Sequence, residues 1–283
     1  MTNEIDTASA ILFPGQGSQT PEMRDLVERV RPDLLALAAE VVGEDPFPRA
    51  DEGTNFAQPA IFCASLAGWS ALGSPVGAMM AGHSLGELGA LVAAGALDER
   101  DGLRLVALRG RLMHESGLAA GDGSMVAVIG AGASEHAGEI AAAADLTVAN
   151  DNSPLQIVLS GAKGHIPAAI ERAKALGLRA MELDVTGAFH SPMMAGAVPE
   201  FSAALREVEF SAPRTHVISA VTAQPFTDPR VELADALTRP VRWREVLLTM
   251  HSLGAERFVD VGPGRVLTGL AKRTLTGVEL VNA

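Results

Sequence analysis

The chain is short of sulfur, of positive charge and of long apolar runs, and each shortage removes a class of function. Its single cysteine, Cys63, rules out an intrachain disulfide and a multi-cysteine metal site, and it suits a reducing cytoplasm. Lysine and arginine total 22 against 34 aspartates and glutamates, a net charge of −12. A general nucleic-acid binder needs a basic face, so that class is set aside. No apolar run reaches the length of about 18 residues that spans a bilayer. The opening "MTNEIDTASA" has neither the positive start nor the apolar centre of a signal peptide. Internal repeats and low-complexity segments are missing as well. What remains is a 283-residue chain, 48% hydrophobic and 20% charged, long enough for one large domain or a domain with an inserted lobe. A soluble cytoplasmic protein is the expectation.

The order of patterns predicts an α/β fold. "SAILF" (9–13) reads as a buried strand entering the loop "PGQGSQ" (14–19). Residues 58–72 have helical apolar spacing, with Pro59 suited to a first turn. A short strand at 76–81 turns through 82–86 into a helix at 87–94, and 98–116 is amphipathic with Asp98 as N-cap. Strand, turn and helix in this alternation imply a parallel sheet. Between 125 and 185 the rhythm becomes βαββαβ, the order of a ferredoxin-like lobe. A strand at 217–220, a helix at 241–253, a strand at 257–261 and a final helix after "GPG" complete the reading. The predicted division is a main domain of residues 1–119 and 188–283, with 120–187 inserted as the small subdomain.

Within this frame "AGHSLGE" places Gly82-x-Ser84-x-Gly86 between a strand and a helix. Such a turn strains the serine backbone, needs glycine on both sides, and lifts the hydroxyl to a helix N-terminus where free amides favour an anion. In a chain with 29 glycines the pattern alone is a weak signal. A serine also needs a base, and seven histidines are present. His83 adjoins Ser84 but points away from it on such a turn, so a structural role is expected. His114 and His136 sit in helix patterns and are expected to be solvated, and His165, His216 and His251 have no chemical neighbours. His190, in the loop "TGAFHSPMM" after a strand, is the best placed of the seven.

Seven stretches then occur together in order: "FPGQGSQ", "GHSLGE", "LRGRLM", "NSPLQIVLSG", "GAFHSPMM", "PVRW" and "VGPGRVLTGL". With them the chain closely resembles malonyl-CoA:acyl carrier protein transacylases and the acyltransferase domains of polyketide synthases, over nearly its whole length. The resemblance implies an α/β-hydrolase-like main domain with a ferredoxin-like subdomain. It implies that Ser84 is the acylated nucleophile and His190 its base and then acid, with Gln16 and Leu85 N–H groups forming the oxyanion hole. Gln58 and Asn152 match positions near the site. Arg109 matches the arginine that pairs with the substrate's free carboxylate, a task suited to a two-pronged guanidinium; Arg111 is expected to be solvated. Phe189 before the histidine, together with Leu85, fits members that choose malonyl over methylmalonyl. Where well-known bacterial members carry a glutamine whose main-chain carbonyl accepts from the histidine, this chain has Ala236. A backbone carbonyl survives that change, so a Ser84–His190 dyad is implied.

The implied reaction moves malonyl from malonyl-CoA to the phosphopantetheine thiol of a holo-acyl carrier protein, with no cofactor, metal, membrane or nucleic acid, in a monomer. An alternative is a freestanding acyltransferase serving a polyketide synthase. Another is a serine hydrolase with a Ser84, Asp184, His190 triad, which would leave Arg109 without a role. Carrier proteins are acidic, so docking calls for a basic patch on this acidic chain. Arg265, Lys272 and Arg273, or Arg172, Lys174 and Arg179, are the candidates.

Overall fold

A computed structural model describes residues 6–282 and shows two sheets of opposite character. Strand β1 (Asp6–Phe13) leads to helices α1 (Met23–Val30), α2 (Pro32–Val42) and α3 (Thr54–Ala71), then β2 (Gly77–Gly82), α4 (Gly86–Ala93) and α5 (Glu99–Ala120). The middle of the chain forms β3 (Gly123–Ile129), α6 (Ala137–Ala144), β4 (Thr147–Ser153), β5 (Gln156–Ala162), α7 (Ile166–Ala175) and β6 (Arg179–Glu182). After it come α8 (Val198–Glu207), β7 (His216–Ile218), α9 (Pro229–Asp235), α10 (Trp243–Ser252), β8 (Arg257–Asp260), α11 (Val266–Thr274) and β9 (Glu279–Asn282).

The first sheet runs β7-β2-β1-β8-β9 with every pair parallel. Its central strand is apolar on both faces because both are covered. Ile11 and Phe13 face α3, α4 and α5, whereas Ala10 and Leu12 face a separate core built with Trp243, Val246 and Leu247 of α10 and Leu267 and Leu270 of α11. The second sheet runs β4-β5-β3-β6 with every pair antiparallel, the ferredoxin-like order expected from βαββαβ. One face, through Val126, Val128, Ile157 and Leu159, is closed by α6 and α7. Met125, Ala127 and Val158 lie on the other face and join the main core.

Local chemistry explains most boundaries. Asp98 caps α5 by accepting from the Arg100 and Asp101 amides, and Gly121 ends it in the left-handed region. Several expectations need correction. Helix α3 begins a turn earlier than its apolar spacing suggests, so Pro59 lies inside it rather than in the first turn. The last strand of the βαββαβ segment, expected to run to 185, stops at Glu182, and the helix expected from Val241 starts at Trp243. Val241 is instead drawn to the second sheet: its N–H donates to Ala149 O at 2.8 Å, and its carbonyl accepts from Asp151 N–H at 2.9 Å. Helices α1, α2, α8 and α9 and strand β9 go beyond the predicted elements. The two sheets are tied along this seam by the Arg244–Asp151 ion pair at 2.8 Å as well. Among the described residues no helix is long and apolar enough to cross a membrane.

Candidate active site

The serine turn is built from close backbone approaches. A Cβ on Gly82 would fall 1.9 Å from the Gly86 carbonyl carbon, and one on Gly86 would fall 2.1 Å from Phe13 O. No larger residue fits either place. Between them Ser84 is held at φ 55°, a conformation that L-residues seldom adopt. The Leu85 amide stands at the start of α4, where N–H groups have no intrahelical acceptor.

Although 106 residues separate them in sequence, Ser84 Oγ lies 2.9 Å from His190 Nε2. His190 is itself strained, at φ 56°. Its Nδ1 lies 2.7 Å from the carbonyl of Ala236, the C-cap of α9. A carbonyl only accepts, so Nδ1 carries the proton and Nε2 presents a lone pair to the serine hydroxyl. Burial and the charge of Arg109 push the His190 pKa down to about 3, so the imidazole is neutral at pH 7.

Arg109 projects from α5 and is only 3% exposed. Its Nη1 donates to Gln58 Oε1 at 2.8 Å and its Nη2 donates to Ser84 Oγ at 3.0 Å. Gln58 is fixed in turn by donating to Thr54 Oγ1 at 2.8 Å. Among the described residues no carboxylate lies within ion-pairing distance of Arg109, and burial pushes its pKa down to about 10, opposed by the charge of Glu87. The guanidinium is thus a buried cation with open capacity for an anion beside the serine.

These groups open into a cavity of about 370 Å³ between the two sheets. Gln16, Leu85, Gln58 and Phe189 line it from the main body, and Asn150, Asn152, Met125, Ala127 and Val158 line it from the antiparallel lobe. Among the candidates from sequence, Ser84, His190, Arg109, Gln58, Gln16, Leu85, Asn152 and Phe189 therefore meet at one place, with Ala236 behind His190. Asp184 is not joined to His190. Its side chain is exposed at the cavity edge, and Ala236 O occupies the nitrogen that a triad acid would need. His83 crosses the cavity, its Nε2 donating to Asn152 Oδ1 at 2.8 Å while its ring meets Trp243 edge-on. His114 is half-buried rather than solvated, with its Nδ1 shielded from solvent next to Gly53. Arg111 is exposed and paired with Glu115 and Glu200. Of the basic docking candidates, Arg172 is engaged by Glu139, while Lys174, Arg179, Arg265, Lys272 and Arg273 are exposed.

Sequence reasoning missed Asn150 and Glu87. The two-residue alternation of a strand running back from Asn152 could have found Asn150. A lone carboxylate in the apolar run after Ser84 could have marked Glu87, which is buried with a pKa raised to about 8 by desolvation.

With this geometry established, comparison with known proteins decides the family: residues 11–282 match the acyl transferase domain. The chain belongs to the acyl transferase family. It is 37% identical to the Escherichia coli K12 protein named malonyl CoA-acyl carrier protein transacylase, over 97% of this chain and 96% of that one. It is 40% identical to the polyketide biosynthesis protein ThaF of Burkholderia thailandensis over 94% of its own length, but spans only 24% of that larger protein. A crystal structure of an acyl carrier protein S-malonyltransferase from Vibrio cholerae superposes with a TM-score of 0.89 at 39% identity, covering 98% of this chain and 97% of that one. A malonyl-transacylase solved in complex with its type II PKS acyl-carrier protein gives a TM-score of 0.88 at 33% identity, over 98% and 96% of the two chains.

Proposed function

We propose that this acyltransferase moves a malonyl group from malonyl-CoA to the phosphopantetheine thiol of a holo-acyl carrier protein by a ping-pong mechanism through malonyl-Ser84. The relatives' names support the substrates. The observation that carries the reading for this chain is the guanidinium of Arg109, fixed by Gln58 and 3.0 Å from Ser84 Oγ. A short acyl group on that oxygen has its far end within reach of a buried cation. A carboxylate there gains a two-pronged, desolvated partner, whereas acetyl leaves the charge unpaired.

In the first half-reaction Ser84 Oγ attacks the thioester carbonyl while its proton passes to His190 Nε2. The developing oxyanion is received by the Leu85 and Gln16 amides. The tetrahedral intermediate collapses, the C–S bond breaks, and His190 returns the proton to the departing CoA thiolate. In the second half-reaction His190 takes the carrier thiol's proton, the thiolate attacks the acyl-serine, and Ser84 recovers its hydrogen. Arg109 also tunes the base. Its positive charge opposes formation of imidazolium, and a malonyl carboxylate cancels that charge. The base is therefore strengthened when the correct substrate is seated. Asn152 and Phe189 bound the acyl chamber, and Phe189 crowds an α-methyl branch.

In this reading residues 120–187 are a subdomain that roofs a site built by 1–119 and 188–283. The reaction uses no cofactor or metal, and its CoA and carrier thiols belong to the cytoplasm. The same chemistry would serve a fatty-acid or a polyketide carrier protein. Intact mass spectrometry after mixing with malonyl-, methylmalonyl- and acetyl-CoA tests the reading. A malonyl adduct on the wild type and none on Ser84→Ala is expected. An adduct on both, or on neither, overturns it.

A further inference from the structure

Two buried carboxylates, Glu87 and Glu232, have no part in the reaction above, yet each is bound to the same loop. Glu87 lies in the first turn of α4, three residues past Ser84, and its Oε1 accepts from Ala220 N–H at 2.7 Å. Glu232 lies on α9, four residues before Ala236. Its Oε1 accepts from the Thr227 and Asp228 amides at 2.8 and 3.2 Å, and its Oε2 accepts from Thr222 Oγ1 at 3.3 Å. In the helix the Ala236 amide donates to Glu232 O at 2.9 Å, so the carbonyl that holds His190 is one helical turn from this anchor.

The shared loop, residues 219–228, is itself tightly folded. Ser219 N–H donates to Gln224 O at 2.9 Å, Ala223 N–H to Ser219 O at 2.8 Å, and Phe226 N–H to Val217 O at 2.9 Å. Ala223 is held at φ 55° to close it. Ala220 O also accepts from Arg242 N–H at 2.8 Å, and Arg242 Nη1 donates to Thr222 O at 3.0 Å, which ties down the chain beyond Ala236. Glu232 thus closes the N-terminus of its own helix at Thr227 and the N-cap Asp228 and reaches across the loop to Thr222, so the nucleophile's helix and the helix that orients the base both meet one hydrogen-bonded loop, each through a carboxylate.

We infer that Glu87 and Glu232 are positioning residues that set the Ser84–His190 distance by fixing α4 and α9 to the 219–228 loop. The inference rests on the dyad proposed above. Its content is geometric: strut length matters more than charge. Shortening a strut by one methylene should harm the dyad, while the equally long, neutral glutamine, which keeps an acceptor oxygen, should not.

The test uses a neutral sulfonyl fluoride that labels Ser84, so neither Arg109 nor the thiol substrates enter the measurement. Glu87→Asp and Glu232→Asp should each slow labelling about 10- to 100-fold, the scale of a small misplacement at a reacting centre. Both should lower kcat for malonyl transfer more than they raise KM for the carrier. Glu232→Gln and Glu87→Gln should label within about twofold of wild type. Because both struts serve one loop, the double aspartate variant should be no slower than the worse single variant, whereas independent effects would multiply. The opposite ranking, with aspartate tolerated and glutamine not, would assign a charge role and overturn the inference. Multiplicative losses, or unchanged labelling in aspartate variants that melt earlier, would overturn it too. Labelling that persists in Ser84→Ala would instead reject the dyad itself.

Discussion

The parallel-sheet body and the antiparallel lobe face the same cavity but contribute different kinds of group. From the body come a strained serine, a strained histidine and a buried arginine, each held by several bonds. From the lobe come amides and apolar walls, namely Asn150, Asn152, Met125, Ala127 and Val158. The difference follows from architecture. Ends of parallel strands offer loops and helix N-termini where free amides and tight turns concentrate. A face of an antiparallel sheet offers a regular surface with alternate side chains pointing one way. Chemistry sits where the backbone can be strained and braced, and shape sits where side chains can be exchanged.

Arg109→Ala should separate the two regions most sharply. Removing it takes away the proposed partner of the malonyl carboxylate and strips Glu87 of the positive charge that lowers its pKa. A lost buried charge partner costs about 3 kcal/mol or more, so kcat/KM for malonyl-CoA should fall roughly a hundredfold or further. Transfer of acetyl, which never used the arginine, should be spared. Equal losses for both substrates would show that Arg109 only supports the fold. Asn152→Ala, the lobe's counterpart, should cost about tenfold, since it leaves the half-buried His83 Nε2–H without its acceptor. The comparison fails if the lobe variant is as damaging as the body variant in steady-state assays.

How much of this was legible in the sequence depends on whether a residue acts through its side chain. Ser84 could be read from its glycines because no other residue fits where the backbone passes at 1.9 and 2.1 Å. The lobe could be read from alternation and element order. Arg109, in contrast, sits on an amphipathic helix beside the exposed Arg111, and spacing alone does not tell the two apart. Only the family resemblance singled it out. Ala236 acts through a carbonyl that every residue possesses, so its own chemistry carries no signal. His83–Asn152 and the Val241 seam are contacts between segments far apart in the chain, which local patterns do not encode. Helix α1, "MRDLVERV", was missed because its sequence is mostly polar and buries only Met23 and Val27.

The body's buried charges should also appear in its stability. The Glu87 carboxyl, ordinarily ionising at 4.5, is raised to about 8 in the fold. The native state then binds more protons than the unfolded chain across that window, so Glu87 lowers stability as pH rises through it. His190, lowered from 6.5 to about 3, has the reverse effect, raising stability as pH climbs to 6.5. Asp260, raised to about 6, has completed most of its change by then. His83, lowered from 6.5 by burial, acts in the same direction as His190, so above 6.5 the Glu87 effect dominates among the described groups. The thermal midpoint of the wild type should fall between pH 6.5 and 8, and Glu87→Gln should flatten that slope. A wild-type profile that is flat or rising there would place the Glu87 proton elsewhere.

The smallest effect should come from Asp184→Asn, at the border of the two regions. Asp184 lines the cavity and follows the last strand of the lobe, so from sequence it competes for the role of triad acid. Its carboxylate is exposed, and His190 Nδ1–H already donates to Ala236 O at 2.7 Å. An exposed charge in water interacts weakly with a buried imidazole, and removing it leaves no donor unsatisfied. Turnover should stay within about twofold of wild type, where loss of a true triad acid costs on the order of ten-thousandfold. A deep loss in Asp184→Asn would move the border: the lobe's edge would then carry chemistry, and the carbonyl of Ala236 would be the lesser partner. With turnover retained, a neutral carbonyl at a helix end suffices to orient the base, and the extra stabilisation of imidazolium that an aspartate gives is left out. That fits the proposal that the substrate's own carboxylate, seated at Arg109, strengthens the base.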